Sequence, residues 1–216
     1  MNGNYLRFAL AWLVSIGVGC TSAPVRYYTL APPPGKTLPA SETTLAIDAR
    51  VVHIPAQLNR SELMVRIGPT ETALLENEHW ASPVKDEIKD AVRLELQRRL
   101  GGMTGLSPSF TKLALDIDVQ RLEAELGRYA LLEASWSATL SSTGQRSTSA
   151  RATTCTFQAD EKIQIGYAGM VEGYQREIAA LADAIVAVLT SPASGFNAPC
   201  QTSIGGSAGG SGSKGR

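Results

Sequence analysis

Three successive stretches between Lys112 and Gln158 repeat with a period of two, and this pattern constrains the fold more than any other feature of the chain. In Lys112–Leu122, Leu113, Leu115, Ile117 and Val119 alternate with Asp116, Asp118 and Gln120. In Tyr129–Leu140, Ala130, Leu132, Ala134, Trp136, Ala138 and Leu140 fall on one side. A turn containing Gly144 leads into Ser147–Gln158. Successive strands with short connections read as an antiparallel meander with one apolar face. Such a face must be covered by another layer.

Two amphipathic helices are available to cover it. Ser82 and Pro83 suit the start of a helix, the serine at the N-cap and the proline in the first turn. Asp86 and Glu87 sit near the positive end of its dipole and Arg98 and Arg99 near the negative end. Val84, Ile88, Ala91, Val92, Leu96 and Leu100 form its apolar stripe, and Gly101-Gly102 ends it. The second helix, Val171–Leu189, buries Tyr174, Ile178, Leu181, Ile185, Val188 and Leu189, with Pro192 just beyond. Further strands are expected at Tyr27–Leu30, Leu45–Ile54 and Glu62–Ile67, and at Thr72–Leu75 with a loop after it. The fold class is α/β: a single domain with a mixed, largely antiparallel sheet and two main amphipathic helices.

The N-terminal segment is built to be removed at Cys20. Arg7 is its one charge, and Phe8–Val18 is an apolar run too short to span a bilayer. Gly17-Val18-Gly19 leads into Cys20, and a polar stretch starting at Thr21 follows. This looks like a bacterial lipoprotein signal, whose cysteine receives diacylglycerol and becomes the first mature residue. The alternative is an ordinary secretory signal that happens to contain a cysteine. Several acyl chains on one residue give stable anchoring without a membrane span. Thr21, in the place where an aspartate favours inner-membrane retention, points to the periplasmic leaflet of the outer membrane. The expected organisation is a signal peptide over 1–19, a lipidated tether over 20–26, the domain over 27–192 and a flexible Gly/Ser-rich tail over 193–216. Six residues, Thr21 to Arg26, separate Cys20 from Tyr27, a reach of only about 20 Å.

Composition removes several function classes. Lys and Arg total 20 and Asp and Glu total 20, so the chain carries no electrostatic case for nucleic acid. Aromatics are 6% of residues, too few for a stacking platform. His53 and His79 are the two histidines. Glu76, Glu78 and His79 could be imagined as metal ligands, but no second histidine or cysteine stands at ligand spacing, and no metal or cofactor is expected beyond the lipid on Cys20. Ser207 lies in a G-x-S-x-G match inside the Gly/Ser tail, without the strand and helix that strain such a serine. Asp116 and Asp118 share a strand face and mark its wet side. No catalytic set emerges, and an enzyme is not expected. With Cys20 acylated, Cys155 and Cys200 either form a disulfide or remain two unrelated thiols; a bond would fasten the last helix to the sheet. Trp80, before the first helix, serves as a hydrophobic staple or as an interface anchor. Arg60 and Arg66 flank the strand at Glu62 and pair within the fold or across an interface.

The order of these elements resembles one family, the PqiC-type auxiliary lipoproteins of ABC-type, MCE-associated lipid transport systems. The matching residues are Cys20, Tyr27-Tyr28-Thr29-Leu30, Ile54-Pro55, Leu58-Asn59-Arg60, Leu63 and Arg66. Trp80 with Pro83, the helix ending in Leu96 and Leu100, the strands around Asp116 and Trp136, and the closing helix continue the match. The resemblance implies a non-enzymatic component at the outer membrane. Its implied partners are a periplasm-spanning MCE-type protein, an inner-membrane permease and its ATPase, with the outer-membrane inner leaflet as the surface it sits on. Together they move lipids or hydrophobic molecules and maintain the envelope. Self-association into a homo-oligomer stays open, and the second functional reading is a periplasmic lipid-binding carrier.

Overall fold

A computed structural model describes residues 23–33, 45–100, 112–141, 151–191 and 200–205. The elements in chain order are β1 (Arg26–Tyr28), β2 (Ala46–His53), β3 (Glu62–Arg66), β4 (Thr72–Trp80), α1 (Val84–Leu100), β5 (Lys112–Glu125), β6 (Tyr129–Ser141), β7 (Arg151–Lys162), α2 (Tyr167–Thr190) and β8 (Cys200–Gly205). The α/β class holds, but the strands divide into two sheets where one was expected. Sheet order is β1-β4-β3 in the smaller and β2-β5-β6-β7-β8 in the larger. The long pairings β5–β6 and β6–β7 are antiparallel, as is β3–β4. The short edge pairings of β1 on β4, β2 on β5 and β8 on β7 are parallel.

The meander's apolar face forms the floor of the core. Leu113, Leu115, Ile117 and Val119 of β5 and Ala130, Leu132, Ala134, Trp136, Ala138 and Leu140 of β6 are all buried. A bulge at Gln120 lies between the pairs Val119–Ala134 and Arg121–Glu133. The extra residue resets the parity, so Leu122 and Ala124 return to the core while Glu123 stays on the other face. The helices pack on this floor and on each other: α1 covers β2, and α2 covers β6 and β7. The opposite face is polar, and its cross-strand ion pairs include Arg50–Asp116 at 2.8 Å and Arg121–Glu133 at 3.0 Å.

Several boundaries differ from the sequence reading: β1 is Arg26–Tyr28 rather than Tyr27–Leu30, β5 runs on to Glu125, β7 spans Arg151–Lys162, and three further differences bear on the site. β4 continues to Trp80 where a loop was expected after Leu75, because β1 and β3 satisfy its backbone from both sides. α2 begins at Tyr167, a turn before Val171. Its early glycines let it approach the sheet: a Cβ on Gly173 would lie 2.4 Å from Ile163 Cγ2 and 3.1 Å from Ala130 Cβ. The stretch assigned to a flexible tail from 193 contains β8, whose first residue, Cys200, pairs in register with Cys155. Cys20 and Ser207 lie outside the described residues.

Candidate functional site

The most elaborated polar construction surrounds β1, the strand that emerges from the tether. Arg26 donates Nε–H to Glu78 Oε1 at 3.0 Å and forms an ion pair with the same carboxylate, which is buried. The guanidinium also lies over the Tyr167 ring at 5.7 Å, which brings β1 to the start of α2. Burial and the neighbouring Glu78 raise the Tyr28 hydroxyl above its ordinary range. On the other flank, Glu87 of α1 accepts hydrogen bonds from the Leu30 backbone N–H, the Thr29 hydroxyl and the Ser82 hydroxyl. Gln175 of α2 donates to the carbonyls of Thr29 at 3.1 Å and Ala31 at 3.2 Å. The segment is therefore gripped by β4, α1 and α2 together. These partners lie far along the chain, and no local pattern in the sequence announces them.

A second network joins the two sheets. Arg66 of β3 donates to Glu123 Oε2 of β5 at 2.8 Å and to the Pro69 carbonyl at 2.9 Å. The Tyr129 hydroxyl donates to Glu123 Oε1 at 2.8 Å, and Arg121 pairs with the same oxygen at 3.0 Å. Burial pushes the Glu123 carboxyl up, but Arg66, Tyr129 and Arg121 outweigh it and bring the group down to about 2. Arg66 is committed within the fold. Trp80 is buried, its ring 6.3 Å from that of Tyr174, so its side chain belongs to the core. Arg60 is exposed, the one of the three interface candidates with its side chain at the surface.

The remaining candidates lie apart from any reactive centre. His79 Nε2 is 2.9 Å from the Glu76 carbonyl oxygen, while Glu78 points to Arg26. Among the described residues no group of three or more His, Cys, Asp or Glu is arranged to hold a metal. Asp116 carries the ion pair with Arg50 on the polar face. Cys155 and Cys200 are joined as a disulfide, with their Cα atoms 4.6 Å apart. A residue the sequence reading passed over is Glu177 of α2, fully buried, with neither carboxyl oxygen meeting a protein hydrogen-bond partner. Burial above all, then Glu161 and Asp160, against a smaller opposing effect of Arg176, pushes it to about 9.

Two cavities among the described residues lie near the β1 construction. The one at the seam of sheets and helices, between Leu58, Met64, Trp80, Val84, Leu122 and Tyr174, is about 20 Å³, room for a single water. A groove of about 280 Å³ is lined by four charged side chains, Glu95, Arg98, Glu172 and Arg176, together with Pro32, Pro33, Gln175 and Ala179. No described helix is long and apolar enough to cross a membrane.

Comparison with solved structures finds this fold in one of them. A crystal structure of an uncharacterized protein is similar at a TM-score of 0.55 and 18% identity, covering 76% of this chain and 97% of that one. A DUF330-family protein of Xanthomonas campestris is similar at a TM-score of 0.47 and 15% identity, covering 74% of this chain and 92% of that one. No curated protein matches. The family model described as the ABC-type transport auxiliary lipoprotein component matches residues 28–186, from β1 through most of α2, and the chain belongs to that family.

Proposed function

We propose that this transport auxiliary lipoprotein is a non-catalytic docking component, held by acyl chains on Cys20 at the periplasmic face of the outer membrane. Its direct partner is a periplasm-spanning MCE-type protein, itself coupled to an inner-membrane permease and ATPase that move lipid or another hydrophobic molecule. The observation that carries this reading is the grip on β1. With Arg26 tied to Glu78, Leu30 to Glu87 and Thr29 to Gln175, no slack is left between the tether and the domain. A fixed stand at the membrane suits docking, whereas a carrier needs reach and an apolar cavity. Among the described residues, the cavity at the seam holds a single water, and the 280 Å³ groove carries four charged side chains on its wall, which favours docking over carriage of an acyl chain.

The test is crosslinking in cells followed by purification of the lipoprotein. Recovery of a periplasm-spanning partner is expected, and recovery of no envelope protein overturns the reading. Arg60→Ala, at an exposed position, is expected to lower that recovery while leaving the melting temperature in place. A Cys20→Ser chain is expected to leave the outer-membrane fraction with its fold intact. Full retention there in high salt would remove the anchor from the account.

A further inference from the structure

Three exposed apolar side chains lie towards the end of the domain where β1 begins, one of them, Tyr27, resting with its ring 5.7 Å from that of His79. Ile165 is 90% exposed, the most exposed large apolar side chain among the described residues. Tyr27 is 69% exposed and Val25 48%. Burying these groups in a lipid interface removes apolar area from water, and tyrosine rings favour the headgroup level. Ile165 stands in the connection between β7 and α2, against the β5–β6 turn: a Cβ on Gly127 would lie 2.8 Å from Ile165 Cγ1. Two residues further on, Tyr167 meets Arg26. The turn, the α2 start and the tether exit therefore share one end of the molecule.

Reach decides what covers this end. The six residues Thr21 to Arg26 span at most about 20 Å, so the bilayer that takes the acyl chains lies within about that distance of Arg26. Tyr167 is already in contact with Arg26, and Ile165 is within about 7 Å of Tyr167 along the chain. Of the cations at this end, Arg26 is matched by Glu78, Arg128 by Glu125 and Arg176 by Glu161, while Lys162 is exposed. That pairing favours an apolar contact over one driven by anionic headgroups.

We propose that this surface, with Ile165 at its tip and Tyr27 and Val25 beside it, seats against the lipid bilayer and fixes the orientation of the domain. The inference rests on the lipid anchoring proposed above. Its test uses the mature, acylated chain with Ile165→Cys, labelled with an environment-sensitive fluorophore in phosphatidylethanolamine/phosphatidylglycerol vesicles. With Cys20 acylated and Cys155 bonded to Cys200, the introduced thiol takes the label. The control is Ala46→Cys at the exposed start of β2, in register with Lys112 and on the order of 40 Å along β5 from the turn.

The label at 165 is expected to shift to the blue and to lose about half its emission to shallow spin-labelled lipid, in low and high salt alike, while the label at 46 does neither. A blue shift without quenching by the lipid probe assigns the surface to a protein or a second copy and overturns the proposal. A vesicle-bound chain whose 165 label stays aqueous overturns it alone. A chain without acyl mass on Cys20 overturns both it and the anchoring it rests on.

Discussion

The Glu87 carboxylate accepts a hydrogen bond from the Leu30 backbone N–H at 2.8 Å, across 57 residues of sequence. The same group takes the hydroxyls of Thr29 and Ser82. Glu87→Ala leaves a buried amide without its acceptor and is expected to cost about 2–3 kcal/mol. Its clearest sign is early tryptic cleavage at Arg26, read by mass spectrometry before global melting. A variant protected as well as the parent would show that Glu87 does not hold the strand.

Glu177 gives the chain a predictable pH dependence. Its carboxyl stays protonated to about 9 when folded, against an ordinary value of 4.5. The unfolded chain releases this proton first, so raising the pH across that window favours unfolding, by about 1.4 kcal/mol for each unit. Glu177→Gln keeps the shape and removes the ionisation. Its melting temperature is expected to exceed the parent's by on the order of 10 °C at pH 7.5 and to match it near pH 4. An equal gain at both pH values would count against an ionisation effect.

The disulfide closes a loop of 45 residues that contains all of α2. In the chain-entropy account it stabilises by roughly 4 kcal/mol, less any native strain. Alkylation of denatured, unreduced protein is expected to modify neither Cys155 nor Cys200. Reduction is expected to lower the urea midpoint without changing the secondary structure seen by circular dichroism under native conditions.

Gly173 is where α2 lies closest to the sheet. Gly173→Ala gains helix propensity but drives its methyl into Ile163 and Ala130, for a net loss of about 1–2 kcal/mol. Pairing it with Ile163→Ala should cost less than the two single changes added together, because the neighbour it strikes is gone. Strict additivity in denaturant melts would place the strain elsewhere.

The period-two runs of β5 and β6 and the stripe of α1 were legible because each buries one face against a continuous partner. The Gln120 bulge was not, since Gln120 and Arg121 read as two ordinary polar positions until the register shows one of them unpaired. Glu76-Asn77-Glu78-His79 lacks alternation, and it forms strand because β1 and β3 flank β4 and Arg26 neutralises the buried Glu78. Ser82 was placed by its capping preference, and its hydroxyl donates to the Glu87 side chain at 2.7 Å. The β1 grip was the least legible part of the site, because Glu78, Glu87 and Gln175 lie on three separate elements and acquire their roles only through tertiary packing.

β8 covers the outer edge of the larger sheet, in register from Cys155–Cys200 to Asp160–Gly205. Without it, β7 would offer a row of unpaired amides and carbonyls along a threonine-rich strand, a template onto which other chains could add. The sulfur bridge sits at the first pair of that register, so it stops the cover from peeling where peeling would start. The bond therefore also guards the sheet edge against edge-to-edge aggregation.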